Sequence, residues 1–404
     1  MAAARQARVG GTTTAFALRV ALVPPRDSPG TDGLDAQVRE LARAVLRRGG
    51  VVDVLEPRTD PRLPNVEIVE GAVIRRLPLS AAHLPFGMAR AVSRQVLFAP
   101  YDIVHAHTQE AVLAIGRTRD GPRRLVFTPH ASVRRLLSGT YGPPTAWVLR
   151  RSARIVCRAP AEAQLFERLL PAQGDRVAVV RPGVDAAAIR AAPPIAFPWE
   201  IVLAVGPLER HCQLAPTIAA LAALDDDVHL VAIGTGPARR SLAAFAADLQ
   251  VRSRVHLLGL RPTAERYTWL RGARAVVALS DDPAFPVSLL EAVAAGTPIV
   301  ASDVPMHREL ASYVGDVGVR LIPPGSSPLL IADVIDAAAR TTLTAPTVGS
   351  LPSLADVAER IVDVYAGLIG GRSIVPAADG GRRRGSWTRS GRGDRTKVDL
   401  SGAA

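Results

Sequence analysis

The sequence predicts an α/β protein made of two doubly wound parallel-sheet domains that face each other across a cleft. Short Val-, Ile- and Leu-rich runs alternate with stretches of helical periodicity along most of the chain. The alternation pauses once, at the proline-rich segment Ala191-Ala192-Pro193-Pro194 to Pro198. The length of 404 residues also exceeds one ordinary core, since roughly 100 to 200 residues make a domain.

The first strand reads Leu18-Arg19-Val20-Ala21-Leu22-Val23 and is closed by Pro24-Pro25. A helix follows, with Val38, Leu41, Ala42, Val45 and Leu46 at three- and four-residue spacing and a Gly49-Gly50 stop. Val51 to Leu55 is the second strand. This unit has a right-handed crossover and so a parallel sheet, the signature of a Rossmann-like domain. Strands are then expected at Asp102–His107, Arg124–Thr128, Arg154–Cys157 and Val177–Val180. Beyond the proline hinge a second set is expected at Ile201–Val205, Val228–Ile233, Val255–Leu258, Ala275–Leu279 and Pro298–Ala301. From about Pro376 the chain is Gly, Ser, Arg and Asp with little apolar content, so a disordered tail is expected.

Composition narrows the function classes. With 48% apolar and 21% charged residues the chain reads as globular, not disordered. No apolar run reaches the ~18 residues of a membrane span, and the start is read as ragged instead of as a signal peptide. The two cysteines, Cys157 and Cys212, give neither a disulfide framework nor a metal-ligand spacing, so cytoplasm is expected and no metal. The net charge of +12 raises a nucleic-acid reading, which the distribution argues against: arginine is spread over most helices, and the densest run, Arg382 to Arg384, lies in the tail. Lys397 is the only lysine.

The motif order then becomes specific. Gly33-Leu34 precedes Val38-Arg39-Glu40-Leu41-Ala42; Asp102-Ile103-Val104-His105-Ala106-His107, Thr128-Pro129-His130 and Pro182-Gly183-Val184-Asp185 follow. The second half carries Gly234-Thr235-Gly236-Pro237, the run Leu290 to Asp303, and Pro323-Pro324-Gly325. From about Leu18 to Leu368 the chain resembles retaining glycosyltransferases of family 4. The resemblance implies the GT-B architecture: a flexible start (1–16), an acceptor-side domain (17–190), a nucleotide-sugar-side domain (198–350), a C-terminal helix crossing back (351–370) and a basic tail (376–404).

The resemblance also implies site residues. His130 would lie beside the donor sugar and Glu291, near the start of a helix, would grip the donor's ribose; these two form the catalytic set. Donor contacts are implied at Gly206, Leu208, Arg210, Gly234, Gly236, Phe285, Val287, Ser288, Leu289 and Leu290, and Gly33 marks the acceptor-side loop. A loop and helix start presenting N–H groups suit an anionic diphosphate. His105 and His107 are placed on opposite sides of their strand and read as structural. No cofactor is expected, the nucleotide-diphosphate sugar being a co-substrate.

Four donor-side positions depart from the family pattern. After Ile201–Val205 the family has Gly-Arg-Leu and, after three more residues, Lys; this chain has Gly206-Pro207-Leu208-Glu209-Arg210-His211-Cys212. The first acid of the later motif falls on Pro283, and Pro286 replaces a glycine. Losing two cations weakens donor binding by about two to four orders of magnitude at roughly 1.5 to 3 kcal/mol each, unless Arg210, His211, Arg239 or Arg240 compensate. Three readings stay open: transfer of a sugar onto an envelope or secondary-metabolite acceptor (carbohydrate, lipid-linked or small molecule), a non-catalytic binding protein with a degraded donor site, and another cleft enzyme such as a sugar-nucleotide epimerase. A basic amphipathic segment, Phe86 to Phe98, suggests attraction to an anionic membrane surface at the inner face.

Overall fold

The computed structural model describes residues 18–24, 33–58, 62–78, 92, 94, 101–118, 120–171, 176–281, 284–315, 318–341 and 351–369. The expectations for 1–16, for the tail 376–404, for Pro283 and for most of 86–98 lie outside them. Within that last segment Val92 is buried and Arg94 exposed.

The first sheet contains β1 (Arg19–Val23), β2 (Val51–Arg58), β3 (Val66–Val69), β4 (Ala72–Pro78), β5 (Ile103–Ala106), β6 (Leu125–Phe127), β7 (Arg154–Cys157) and β8 (Val177–Val179). Its order is β3-β4-β2-β1-β5-β6-β7-β8, and only the β3–β4 pair is antiparallel. The second sheet contains β9 (Glu200–Val205), β10 (Val228–Ile233), β11 (Val255–Gly259), β12 (Ala275–Ala278), β13 (Ile299–Ser302) and β14 (Val319–Ile322). It is parallel throughout, in the order β11-β10-β9-β12-β13-β14. Both sheets are doubly wound. The strand order reverses between β1 and β5 and again between β9 and β12, which opens a crevice at the carboxyl ends of those strands.

Strands β5, β6 and β13 are buried along their whole length, as expected where helices cover both faces of a parallel sheet. Alternation along each strand sorts its residues between two cores. Val104 and Ala106 pack with Phe127, Ile155 and Phe166 on one face, whereas Ile103 packs with Leu41, Val45, Ile361 and Tyr365 on the other. The second face is covered by two helices, Gly33–Arg47 and Leu354–Leu368. They are joined by Arg47 and Arg48 bonding Glu359, and by Arg48 bonding Asp363. The last helix begins with a reciprocal capping box between Ser353 and Asp356.

Three strands were not foreseen. The β3–β4 hairpin turns at Glu70-Gly71, both with positive φ, and Val66 and Ile68 of β3 point to solvent, so its pattern gives no inward face to detect. Strand β14 is a four-residue edge strand carrying Arg320. Among the described residues no helix is long and apolar enough to cross a membrane.

Candidate active-site cleft

On the first sheet's side, the strand ends place three imidazoles in a row. The Tyr365 hydroxyl and His105 Nδ1 share a hydrogen bond of 2.5 Å, and His105 Nε2 pairs with Thr128 Oγ1 at 2.8 Å. The His105 and His107 rings lie 4.3 Å apart. His107 Nδ1 meets His130 Nε2 at 2.9 Å, with the rings stacked at 5.1 Å. The expected placement of His105 and His107 on opposite sides therefore fails, because residues two apart in a strand share a face. His107 Nε2 and His130 Nδ1 are buried with no partner among the described residues.

Arg158, the residue just past β7, is the charge beside this row. It is 4% exposed. Its backbone N–H donates to Glu162 Oε2 at 2.6 Å, its Nη2 lies 3.6 Å from Glu162 Oε1, and its Nη1 reaches the Phe285 carbonyl of the other domain at 3.5 Å. Its Nε and Nη2 have no hydrogen-bond partner among the described residues. Burial first, and the Arg158 charge second, push His107 down to about 3 and His130 well below the ordinary imidazole range. Burial and neighbouring His107 do the same to His105. The site thus holds three neutral imidazoles beside a buried guanidinium, an environment favourable to an anion.

Across the cleft, backbone packing gathers the glycines of the second sheet. The Gly206 N–H bonds the Ile233 carbonyl, and Leu208 N–H bonds the Thr235 carbonyl. A Cβ on Gly234 would stand 1.8 Å from the Gly206 carbonyl oxygen, and one on Gly236 would stand 2.2 Å from that of Leu208. These loops approach closely only because both positions lack a side chain.

The helix Val287–Ala295 follows, ending on Gly296 in the left-handed region. Phe285, Leu289 and Leu290 are core residues, as is Leu208, so their side chains serve packing. Their first-turn amides are engaged too: the N–H groups of Leu289 and Leu290 bond the Pro286 carbonyl. Val287 and Ser288 stay partly exposed, and the Ser288 hydroxyl donates to the Val205 carbonyl at 3.3 Å. Glu291 sits in the second turn, 4% exposed, with Oε1 2.8 Å from Arg266 Nη2.

The compensating cations are arranged differently from their sequence order. Arg239 turns away to the Leu257 carbonyl. Arg210 is exposed in a short 3₁₀ turn. Arg135, from the first domain, bonds Glu209 at 2.8 Å and abuts the His211 ring nitrogens at 2.8 and 2.9 Å, pinning this loop across the cleft. Arg135, Arg158 and Arg266 were missed by the sequence reading: each lies far in sequence from the motif it touches. Gly33 opens the helix Gly33–Arg47, and the loop before it is outside the described residues.

The chain is similar to known proteins along most of its length. Residues 31–188 match the family model for Glycosyltransferase Family 4, and residues 200–340 match that for Glycosyl transferases group 1. A D-inositol 3-phosphate glycosyltransferase of Xylanimonas cellulosilytica is 31% identical over 78% of this chain and 85% of its own. A phosphatidyl-myo-inositol mannosyltransferase of Mycobacterium leprae is 28% identical over 80% of this chain and 88% of its own. Among solved structures, sucrose-phosphate synthase of Thermosynechococcus elongatus superposes with a TM-score of 0.72 at 20% identity, covering 87% of this chain and 99% of that one. Anabaena HepE in complex with UDP-glucose superposes with a TM-score of 0.64 at 17% identity, covering 87% and 98%.

Proposed function

This chain belongs to glycosyltransferase family 4, and on that premise we propose that it moves a sugar from a nucleoside-diphosphate donor onto a hydroxyl of an envelope or secondary-metabolite acceptor, with retention of configuration. The observation that carries the reading is that Arg158, whose charge acts on the paired His107 and His130, reaches the Phe285 carbonyl of the facing domain at 3.5 Å, just ahead of the helix that holds Glu291. The donor diphosphate lies along Gly206, Gly234, Gly236 and Ser288. Arg158 and Arg210 supply positive charge that Pro207 and Cys212 do not. His130 orients the transferred sugar through its unpartnered Nδ1, and Glu291, braced by Arg266, faces the ribose. Side chains and backbone dipoles carry the leaving-group charge, and the scheme uses no metal or other cofactor.

The relatives named for inositol 3-phosphate and phosphatidyl-myo-inositol make a polyol acceptor, free or lipid-linked, the first to test. We place the protein in the cytoplasm, at the inner face of the membrane. The experiment is isothermal titration with a panel of nucleotide sugars, followed by product analysis with inositol phosphate and phosphatidylinositol. Donor binding with product formation is expected; no binding to any donor would overturn the proposal.

A second reading, a non-catalytic binder, is favoured by one observation: Glu291 is already buried against Arg266 and Pro207 removes both a cation and an N–H from the donor loop. A flat response to every nucleotide sugar, in binding and in hydrolysis, would support it.

A further inference from the structure

At the end of the first sheet opposite the cleft, the segments that enter β6, β7 and β8 bring five arginines together. Arg117, Arg123, Arg150, Arg151 and Arg176 surround a cavity of about 650 Å³ with Trp147 at its wall. The heads are partly held in place. Arg151 Nη1 donates to the Trp147 carbonyl at 2.9 Å and its guanidinium lies 4.0 Å over the Trp147 ring; Arg176 Nη1 donates to the Arg150 carbonyl at 3.0 Å. Arg117 and Arg123 are exposed and have no acidic partner among the described residues.

A second cavity, of about 350 Å³, continues from this basin between the helices Gln109–Gly116 and Gly142–Leu149. Leu113, Tyr141, Pro144 and Val148 line it, and it shares Trp147 and Arg117 with the basin. Tyr141 is 41% and Trp147 49% exposed. A cationic basin that opens into an apolar groove matches an amphiphile with an anionic phosphate head and a hydrocarbon tail.

We propose that this basal face docks the protein on a membrane surface rich in anionic phospholipid, the phosphates in the arginine basin and Trp147 with the groove in the acyl boundary. A nucleic acid would use the same charges but would stack its bases on the free face of an aromatic ring, and Arg151 already covers one face of Trp147. The basin lies at the opposite edge of the sheet from the cleft, and the groove runs from it along the two helices towards Gln109 and Glu110, so docking through the basin leaves the cleft open. The proposal stands whatever reaction the cleft performs.

The test uses the full chain with phosphatidylcholine vesicles, with and without phosphatidylglycerol, read by co-sedimentation and tryptophan emission. Binding should require the anionic lipid and weaken with salt. Each arginine at such a surface contributes roughly fivefold in partitioning, so Arg117→Gln with Arg123→Gln should bind on the order of twentyfold more weakly at an unchanged melting temperature. Arg117→Lys with Arg123→Lys should keep binding. The lipid-induced blue shift should vanish in Trp147→Phe. Equal binding to neutral vesicles, full binding by the double glutamine variant, tighter retention by an oligonucleotide, or binding of glycerol phosphate without vesicle binding would each overturn the proposal.

Discussion

Glu291 Oε1 and Arg266 Nη2 lie 2.8 Å apart with both side chains about 5% exposed, joining the helix that follows β11 to the helix of the donor loop. Neighbouring Tyr267 has its hydroxyl pKa raised by burial and then by the Glu291 charge.

That pair makes Glu291 a stability residue as well as a proposed donor contact. Removing one member of a buried ion pair costs about 3 to 5 kcal/mol because the other charge is left uncompensated, whereas replacing both is often near neutral. Glu291→Gln and Arg266→Met should each lower the urea midpoint, and the double variant should recover most of the loss. Donor affinity of Glu291→Ala has meaning only at temperatures where that variant is folded. Additive losses in the double variant would refute the coupling.

The imidazole row predicts acid sensitivity. The pKa of His105, His107 and His130 is depressed in the folded state, that of His107 to about 3, against roughly 6.5 when unfolded. Above the unfolded value neither state binds the proton. Below it the unfolded chain takes protons that the folded chain refuses, so stability falls as pH drops from about 6.5 towards 3. The slope reaches about 1.4 kcal/mol per pH unit for each such histidine. Urea unfolding at a series of pH values should show this limb, shallower in His107→Gln; a flat profile from pH 7 to 5 would refute it.

Arg158 should matter for donor binding beyond its packing. Arg158→Gln should weaken nucleoside-diphosphate binding by about tenfold to a hundredfold, the worth of a charge-assisted bond. Pro207→Arg with Cys212→Lys should strengthen it. Titration calorimetry on all three proteins decides; an unchanged affinity in Arg158→Gln would remove Arg158 from the site.

Gly234 tests the close approach of the donor loops. Gly234→Ala drives a Cβ against the Gly206 carbonyl at a φ of 153°, so it should cost at least the roughly 1 to 3 kcal/mol of local backbone strain and weaken nucleotide binding. Gly139, whose φ is also positive but which has nothing within 4 Å of its Cβ position, is the control. Gly139→Ala should lose less stability and no affinity. Equal melting temperatures for the two variants would show that the loop yields.

The two thiols should differ in reactivity. Burial pushes both above the usual thiol range, Cys157 the more strongly, and only Cys212 is partly exposed. A thiol reagent should modify Cys212 slowly in the native protein and Cys157 only on unfolding. Rapid native labelling of Cys157 would show that the β7 end opens.

The sequence by itself determined the two doubly wound sheets, because eleven of the strand runs are apolar and separated by helical periodicity, and that pattern forces parallel pairing with covered faces. Local motif order also named the family. It did not determine the β3–β4 hairpin, whose Val66 and Ile68 face solvent, whereas the shared face of His105 and His107 follows from the two-residue period of the strand alone. Only the tertiary structure decided the partners. Arg158 reaches Phe285 across 127 positions, Arg135 reaches Glu209 across 74 and Tyr365 reaches His105 across 260. Periodicity reports which face of an element is buried, but a charge's partner depends on how separately folded elements dock, and no local pattern encodes that distance.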